Sequence, residues 1–309
     1  MADRWFRRAA AFAWAMVGLP MLFESGLPPG PLAIWCSAYA AFGASAWVSS
    51  RRARPPLLLL GLEAAYGLSK AGGQVTLLHL VDRLMERQLD APAAELLKSL
   101  VELKGIQILL NANTARFHGE TCIEAVELTD GRRIDADAVI FAAGIRPSIA
   151  LAKEAGIAVN RGVVVDDHLQ TGAPDIFALG ECAEHRGSVY GLVEPAYEQA
   201  RVLATRLAGK AAAYEGSLLA TNLKVSGVGV FSAGEFEAGE GAETVVLRDR
   251  FAGIYRKFVL REGRLAGCVL VGDTQGALFY LGLIRSGQDI SAIRADLPFG
   301  EPYCVREAA

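Results

Sequence analysis

Two kinds of hydrophobic patterning divide this chain. Residues 9–23 and 31–48 are apolar runs with no charged residue. From Gly61 onward, apolar positions recur at helical or strand spacing instead. In 61–72, Leu62, Ala65, Tyr66 and Leu68 form one stripe and Gly72-Gly73 ends it, which predicts a helix. Residues 74–80 read as a buried parallel strand, 91–104 as a second helix capped by Asp90, and 106–110 as the next strand. Short strands are predicted over 115–117, 122–128 and 133–134, with Asp130-Gly131 as a turn, and a further apolar strand over 137–143. The last third reads as strands over 218–234, 243–247, 253–261 and 264–271, then a helix over 273–286 and a short helix over 290–294. Helix–strand alternation followed by a small meander is the layout of a nucleotide-binding α/β domain.

The two apolar runs make a different picture. Arg4, Arg7 and Arg8 precede them, Arg51, Arg52 and Arg54 follow, and the loop over 24–30 has no basic residue. A membrane span needs about 20 apolar residues. The second run approaches that length and the first is shorter. The basic flanks predict a membrane hairpin over 9–48 with both ends, and the main domain, cytoplasmic. Two other readings stay open: a signal-peptide core behind a basic n-region, or a helical hairpin buried in a cytoplasmic fold.

Composition narrows the function classes. With 309 residues the chain can hold two domains. Hydrophobic residues at 52% and a mean hydropathy of +0.28 agree with a separate apolar segment. A net charge of −3 argues against a nucleic-acid partner. The five cysteines form no C-x-x-C pair and no zinc-like spacing with His, so neither a disulfide framework nor a metal site is expected.

A dinucleotide-binding loop needs G-x-G-x-x-G, because glycines let the backbone approach the pyrophosphate at a helix N-terminus. With Gly61 as the third glycine, the first two positions are Pro56 and Leu58. Residues 49–55 occupy the place of the first strand. At the end of the second strand, where an acidic residue would meet the adenosine ribose, stands His79. It is compatible with a 2′-phosphate when charged, or is simply a polar strand end.

Three later stretches are more specific. They are Ala138 through Gly144-Ile145-Arg146-Pro147; Gly162-Val163-Val164-Val165-Asp166 with Thr171 through Phe177-Ala178-Leu179-Gly180-Glu181-Cys182; and Tyr190 through Glu194-Pro195-Ala196-Tyr197-Glu198-Gln199. Together they resemble the flavoprotein disulfide reductase superfamily. Residues 82–90, 179–184, 189–195 and 221–228 resemble the flavoprotein portion of the assimilatory NAD(P)H-nitrite reductase large subunit. The resemblance runs from Gly61 to about Gly300.

That resemblance implies an α/β fold: an incomplete pair of dinucleotide-binding, Rossmann-like domains, with an α+β C-terminal domain and the N-terminal apolar helical hairpin. Its expected parts are the hairpin over 1–55, an NAD(P)-binding-like domain lacking its first strand over 56–145, the remnant of an FAD-binding domain over 146–212, and an interface domain over 213–309 that often supports homodimers. The implied cofactors are FAD and NAD(P)H. Gly180 and Glu181 would meet the flavin ribityl and pyrophosphate, and Glu194, Pro195 and Ala196 would open a helix facing the flavin ring. Gly61, Leu62, Glu63 and His79 would lie by the nicotinamide nucleotide, with Gly144 and Ile145 across from it. No catalytic side chain is implied, and Cys182 lacks a redox partner. Two functions remain open: an FAD-dependent NAD(P)H oxidoreductase component passing electrons to a separate acceptor protein, or an inactive membrane-anchored fragment lacking the front of the flavin domain.

Overall fold

A computed structural model describes residues 36–37, 58–142 and 146–304. The first elements are β1 (Cys36–Ser37), α1 (Leu58–Lys70), β2 (Val75–Leu78), α2 (Ala91–Glu102) and β3 (Ile106–Leu109). β2 and β3 pair in parallel, Val75 opposite Ile106 through Leu78 opposite Leu109. Parallel neighbours need a crossover, and α2 supplies it. All four residues of β2 are buried, as its unbroken apolar run requires. Asp90 caps α2 as expected, its Oδ1 accepting the Ala93 N–H at 3.3 Å.

The meander follows as β4 (Thr114–His118), β5 (Ala125–Leu128) and β6 (Arg133–Asp135), all antiparallel. The strand expected over 137–143 is only β7 (Ile140–Phe141). Its partner is β1, in parallel, with Cys36 opposite Ile140 and Ser37 opposite Phe141. This corrects the reading of 31–48 as an unbroken apolar helix. The backbone groups of β7 need partners, and an extended segment at Cys36–Ser37 provides them. The rest of the expected hairpin lies outside the described residues. Among the described residues no helix is long and apolar enough to cross a membrane.

A small unit comes next: α3 (Ala150–Glu154), β8 (Val163–Val165), a 3-10 turn at Gly180–Cys182, β9 (Ala183–His185), β10 (Ser188–Val189) and α4 (Val193–Leu207). β9 pairs with β8 in parallel and with β10 antiparallel. Val165, Leu169, Ala183 and Tyr214 form its core.

The C-terminal part is an antiparallel five-stranded sheet of β11 (Ala220–Val225), β12 (Val228–Gly234), β13 (Glu243–Asp249), β14 (Ile254–Arg261) and β15 (Arg264–Gly272). Their order is β11-β12-β15-β14-β13. The single strand expected over 218–234 is thus a hairpin. It turns at Ser226-Gly227, both left-handed (φ 48° and 75°), as a two-residue hairpin turn demands. α5 (Ala277–Ser286) starts later than expected, and 291–296 forms turns rather than the expected short helix. A 3-10 turn at Leu297–Phe299 and α6 (Glu301–Cys304) follow. One face of the sheet packs Val225, Val230, Tyr255, Val269 and Val271 against Leu62, Ala65, Leu97 and Val101 of α1 and α2. The other face packs Phe231, Phe258 and Leu270 under Tyr280 and Leu281 of α5.

Candidate functional site

The 3-10 turn and the start of α4 are in contact. Gly180 has φ +76°, a conformation glycine adopts without strain. A Cβ at Gly180 would lie 3.7 Å from the Cβ of Ala196. The Gly180 N–H donates to Gln199 Oε1 at 2.6 Å. From the other side Gly162 presses so close that a Cβ there would meet the Cys182 carbonyl oxygen at 2.8 Å. Behind it, the buried Glu184 carboxylate accepts the N–H groups of Arg161 and Gly162 at 2.8 and 3.0 Å. The turn is therefore anchored on several sides. It exposes Glu181, whose carboxylate has no hydrogen bond or ion pair to the described residues.

α4 begins without a side-chain cap from Leu192. Its first N–H groups and the positive end of its dipole favour a negative charge nearby. Pro195 is buried and Ala196 half-buried against the turn. Glu194 is exposed and its Oε1 accepts from Arg285 Nη2 at 2.8 Å, tying α4 to α5.

The residues expected at the nucleotide behave differently from one another. Gly61 and Leu62 are buried. Glu63 Oε1 accepts the Ser226 N–H at 3.1 Å, and Ser226 Oγ donates to the Leu62 carbonyl at 2.9 Å. These contacts dock α1 on the β11–β12 turn. His79 is 5% exposed, and neither ring nitrogen has a hydrogen-bond partner among the described residues. Glu86 Oε2 stands 3.6 Å from its Nε2, beyond hydrogen-bond reach. Burial pushes the Glu86 carboxyl up, but the imidazole and its own backbone outweigh this and leave it below its ordinary value. Arg83 Nε, in the segment after β2, and Thr114 Oγ1, at the head of β4, are also buried without partners. Gly144 and Ile145 lie outside the described residues.

A cleft of about 550 Å³ meets this arrangement at Glu184; Asn160, Asp166, Asp167, His168 and Arg186 are among its other lining residues. Several of its charges are already spent: Asp167 on His185 and Arg186, and Glu184 on backbone N–H groups. Gln199 and Ser226 lie in resembling stretches, but the resemblance implies no role for either. Gln199 had a usable signal, a polar residue four positions after Pro195 on the helix face that is buried.

Residues 59–200 match the model of the pyridine nucleotide-disulphide oxidoreductases, and residues 220–288 that of the rubredoxin NAD+ reductase C-terminal domain. The chain belongs to the pyridine nucleotide-disulphide oxidoreductase family. This family member is 49% identical over 234 residues to the NAD(P)H nitrite reductase of Bacillus subtilis (strain 168), covering 75% of this chain and 29% of that one. It is 35% identical over 217 residues to the rubredoxin-NAD(+) reductase of Alcanivorax borkumensis, covering 70% of this chain and 56% of that one. Its fold matches the covalent putidaredoxin reductase–putidaredoxin complex with a TM-score of 0.69 at 25% identity, over 84% of this chain and 59% of that one. The chain thus spans about a third of the nitrite reductase and little more than half of the other two.

Proposed function

We propose that the chain is an FAD-dependent NAD(P)H oxidoreductase component that passes electrons to a separate acceptor protein, as in nitrite-reductase-like electron transfer. The supporting observation is the Gly180–Cys182 turn held against the uncapped start of α4, with the Glu181 carboxylate exposed and unspent. An unspent acceptor beside uncapped N–H groups suits a ligand carrying both hydroxyl donors and negative charge. FAD has both. When bound, the flavin supplies the hydride-accepting and electron-releasing chemistry. Glu181 would accept a ribityl hydroxyl, and the first N–H groups of α4 would favour negative charge beside them.

The nucleotide half is supported by His79. A buried imidazole with no hydrogen bond to the described residues, and only the Glu86 carboxylate 3.6 Å away, is better satisfied with a ligand bound, and the resemblance assigns this position to the ribose end. Gly61 would keep its packing role, while Leu62 and Glu63 would hold α1 in place from the side of the sheet. Residues 56–145 would form the nucleotide unit, 146–212 the flavin unit and 213–309 the interface unit. The acceptor would be a small electron carrier, of the kind named with the rubredoxin and putidaredoxin reductases.

The test is incubation of the purified chain with FAD, gel filtration, and the visible spectrum of the protein peak. Retained flavin that is bleached anaerobically by NADH or NADPH is expected. A colourless protein peak would sink the reading in favour of an inactive fragment.

A further inference from the structure

We infer that Gln199 is a positioning residue of the flavin site: its side-chain oxygen holds the Gly180–Glu181 turn in the shape that presents the Glu181 carboxylate. The inference rests on the flavin reading above.

Gln199 is fully buried in α4. A buried carboxamide carries a desolvation cost that a leucine or methionine would avoid, so its polar atoms need a reason to be there. One reason is visible. Its Oε1 accepts the Gly180 N–H at 2.6 Å. A backbone N–H can only donate, which decides which end of the carboxamide faces Gly180. The Nε2 end is buried without a hydrogen-bond partner. Tyr214 is its neighbour there. Burial pushes the Tyr214 phenol up to about 12, while contacts from Ser217 and Gln199 pull it the other way.

Among the described residues Gly180 itself makes two of the turn's hydrogen bonds, and Cys182 Sγ adds a third to the Leu179 carbonyl at 3.4 Å. Gln199 takes the Gly180 N–H, and the Gly180 carbonyl accepts the Ala183 N–H. Glycine is the residue with the most backbone freedom to lose, so removing the acceptor would release a left-handed φ of +76°. Glu181 is the next residue, and among the described residues its carboxylate has no hydrogen bond or ion pair to hold it. Its direction is inherited from Gly180.

A second consequence concerns chemistry. The Gly180 N–H is already committed, so Gly180 itself offers a ligand no donor. The acceptor presented beside it is the Glu181 carboxylate, which suits a group that brings hydroxyls, as a ribityl chain does. This separates Gly180 from the pyrophosphate contact that its glycine motif implied.

The experiment is a double-mutant cycle on FAD binding, read by quenching of flavin fluorescence, with Gln199→Met and Glu181→Ala. Met keeps the length and removes the acceptor. Q199M is expected to weaken FAD binding about tenfold in the unaltered background and to add little on top of E181A. Equal losses in both backgrounds, or no loss, would overturn the positioning role while the flavin reading stands. No FAD binding by the unaltered chain would bring down both. Amide exchange in the unaltered chain needs no variant: slow exchange at Gly180 supports the bond, and exchange at the rate of a free amide overturns it.

Discussion

At the scale of single residues, the structure separates groups that are spent from groups that are not. His79 has no hydrogen bond among the described residues, only the Glu86 carboxylate 3.6 Å from one nitrogen, and that has a cost in the absence of a ligand. His79→Leu is expected to stabilise the unliganded protein by about 1 kcal/mol while weakening nucleotide binding about tenfold. Chemical denaturation and NAD(P)H titration check the two halves, and a loss of stability would show that the imidazole is already satisfied. Asp167 is fully spent. The Arg186 guanidinium first, and His185 second, hold its carboxyl down from 3.8 to about 2. A carboxyl depressed in the fold stabilises it above its unfolded pKa, and that stability is lost as pH falls through the folded value. Between about pH 4 and pH 2 the urea midpoint should fall, and Asp167→Asn should flatten that part of the slope. The effect is modest, because the pair is open to solvent. His79 was legible in the sequence from its place at a strand end. Its lack of a hydrogen bond was not, because what lies within about 3 Å of a buried ring is set by the fold and not by spacing along the chain.

At the scale of elements, periodicity located α1, β2, α2 and β3 well, because each buries a regular face. It failed where backbone geometry rather than side-chain pattern decides. The strand expected over 218–234 contains a hairpin turn, and the left-handed pair Ser226-Gly227 breaks it. The apolar run over 137–143 pairs over just two residues, and its partner lies in a segment expected to be helical. Gly162 shows the same kind of control. It precedes β8, and a Cβ there would meet the Cys182 carbonyl oxygen at 2.8 Å and the Glu184 nitrogen at 3.0 Å. These are backbone atoms, so β8 must shift. Gly162→Ala should cost about 2 kcal/mol in thermal or chemical unfolding and weaken flavin retention as the turn moves. A neutral effect would mean that β8 and the turn are not tightly coupled.

At the scale of the molecule, one core crosses from α1, β2, α2 and β3 into the C-terminal sheet. A buried polar clamp crosses with it. Asp90 Oδ2 accepts from Lys257 Nζ at 2.8 Å and from the Tyr255 hydroxyl at 2.7 Å, and Lys257 also donates to the Phe236 carbonyl at 2.9 Å. Burial, and then the bond to Asp90, push the Tyr255 phenol up. Lys257→Met would leave the Asp90 charge buried with one hydroxyl and a backbone N–H. It should destabilise the protein by about 3 kcal/mol, and Asp90→Asn in the same chain should recover part of the loss. Because the clamp joins two units, hydrogen exchange should rise in α2 and β14 together. A rise confined to β14 would show that the units open separately.

Taken by itself, the sequence determined the family, the α/β order with its sheet-rich end, and the Gly180-Glu181 and Glu194-Pro195-Ala196 pair of motifs. Those features are local: they depend on spacing, periodicity and turn residues within a few positions. Tertiary structure decided which motif residues are free to meet a ligand. Among the described residues Glu181 makes no hydrogen bond or ion pair, Glu194 is spent on Arg285, Glu63 is spent on Ser226, and Gly180 has its N–H taken by Gln199. Availability of a donor or acceptor depends on what else the fold brings within about 3 Å of it, and here those partners are 19 to 163 positions away along the chain.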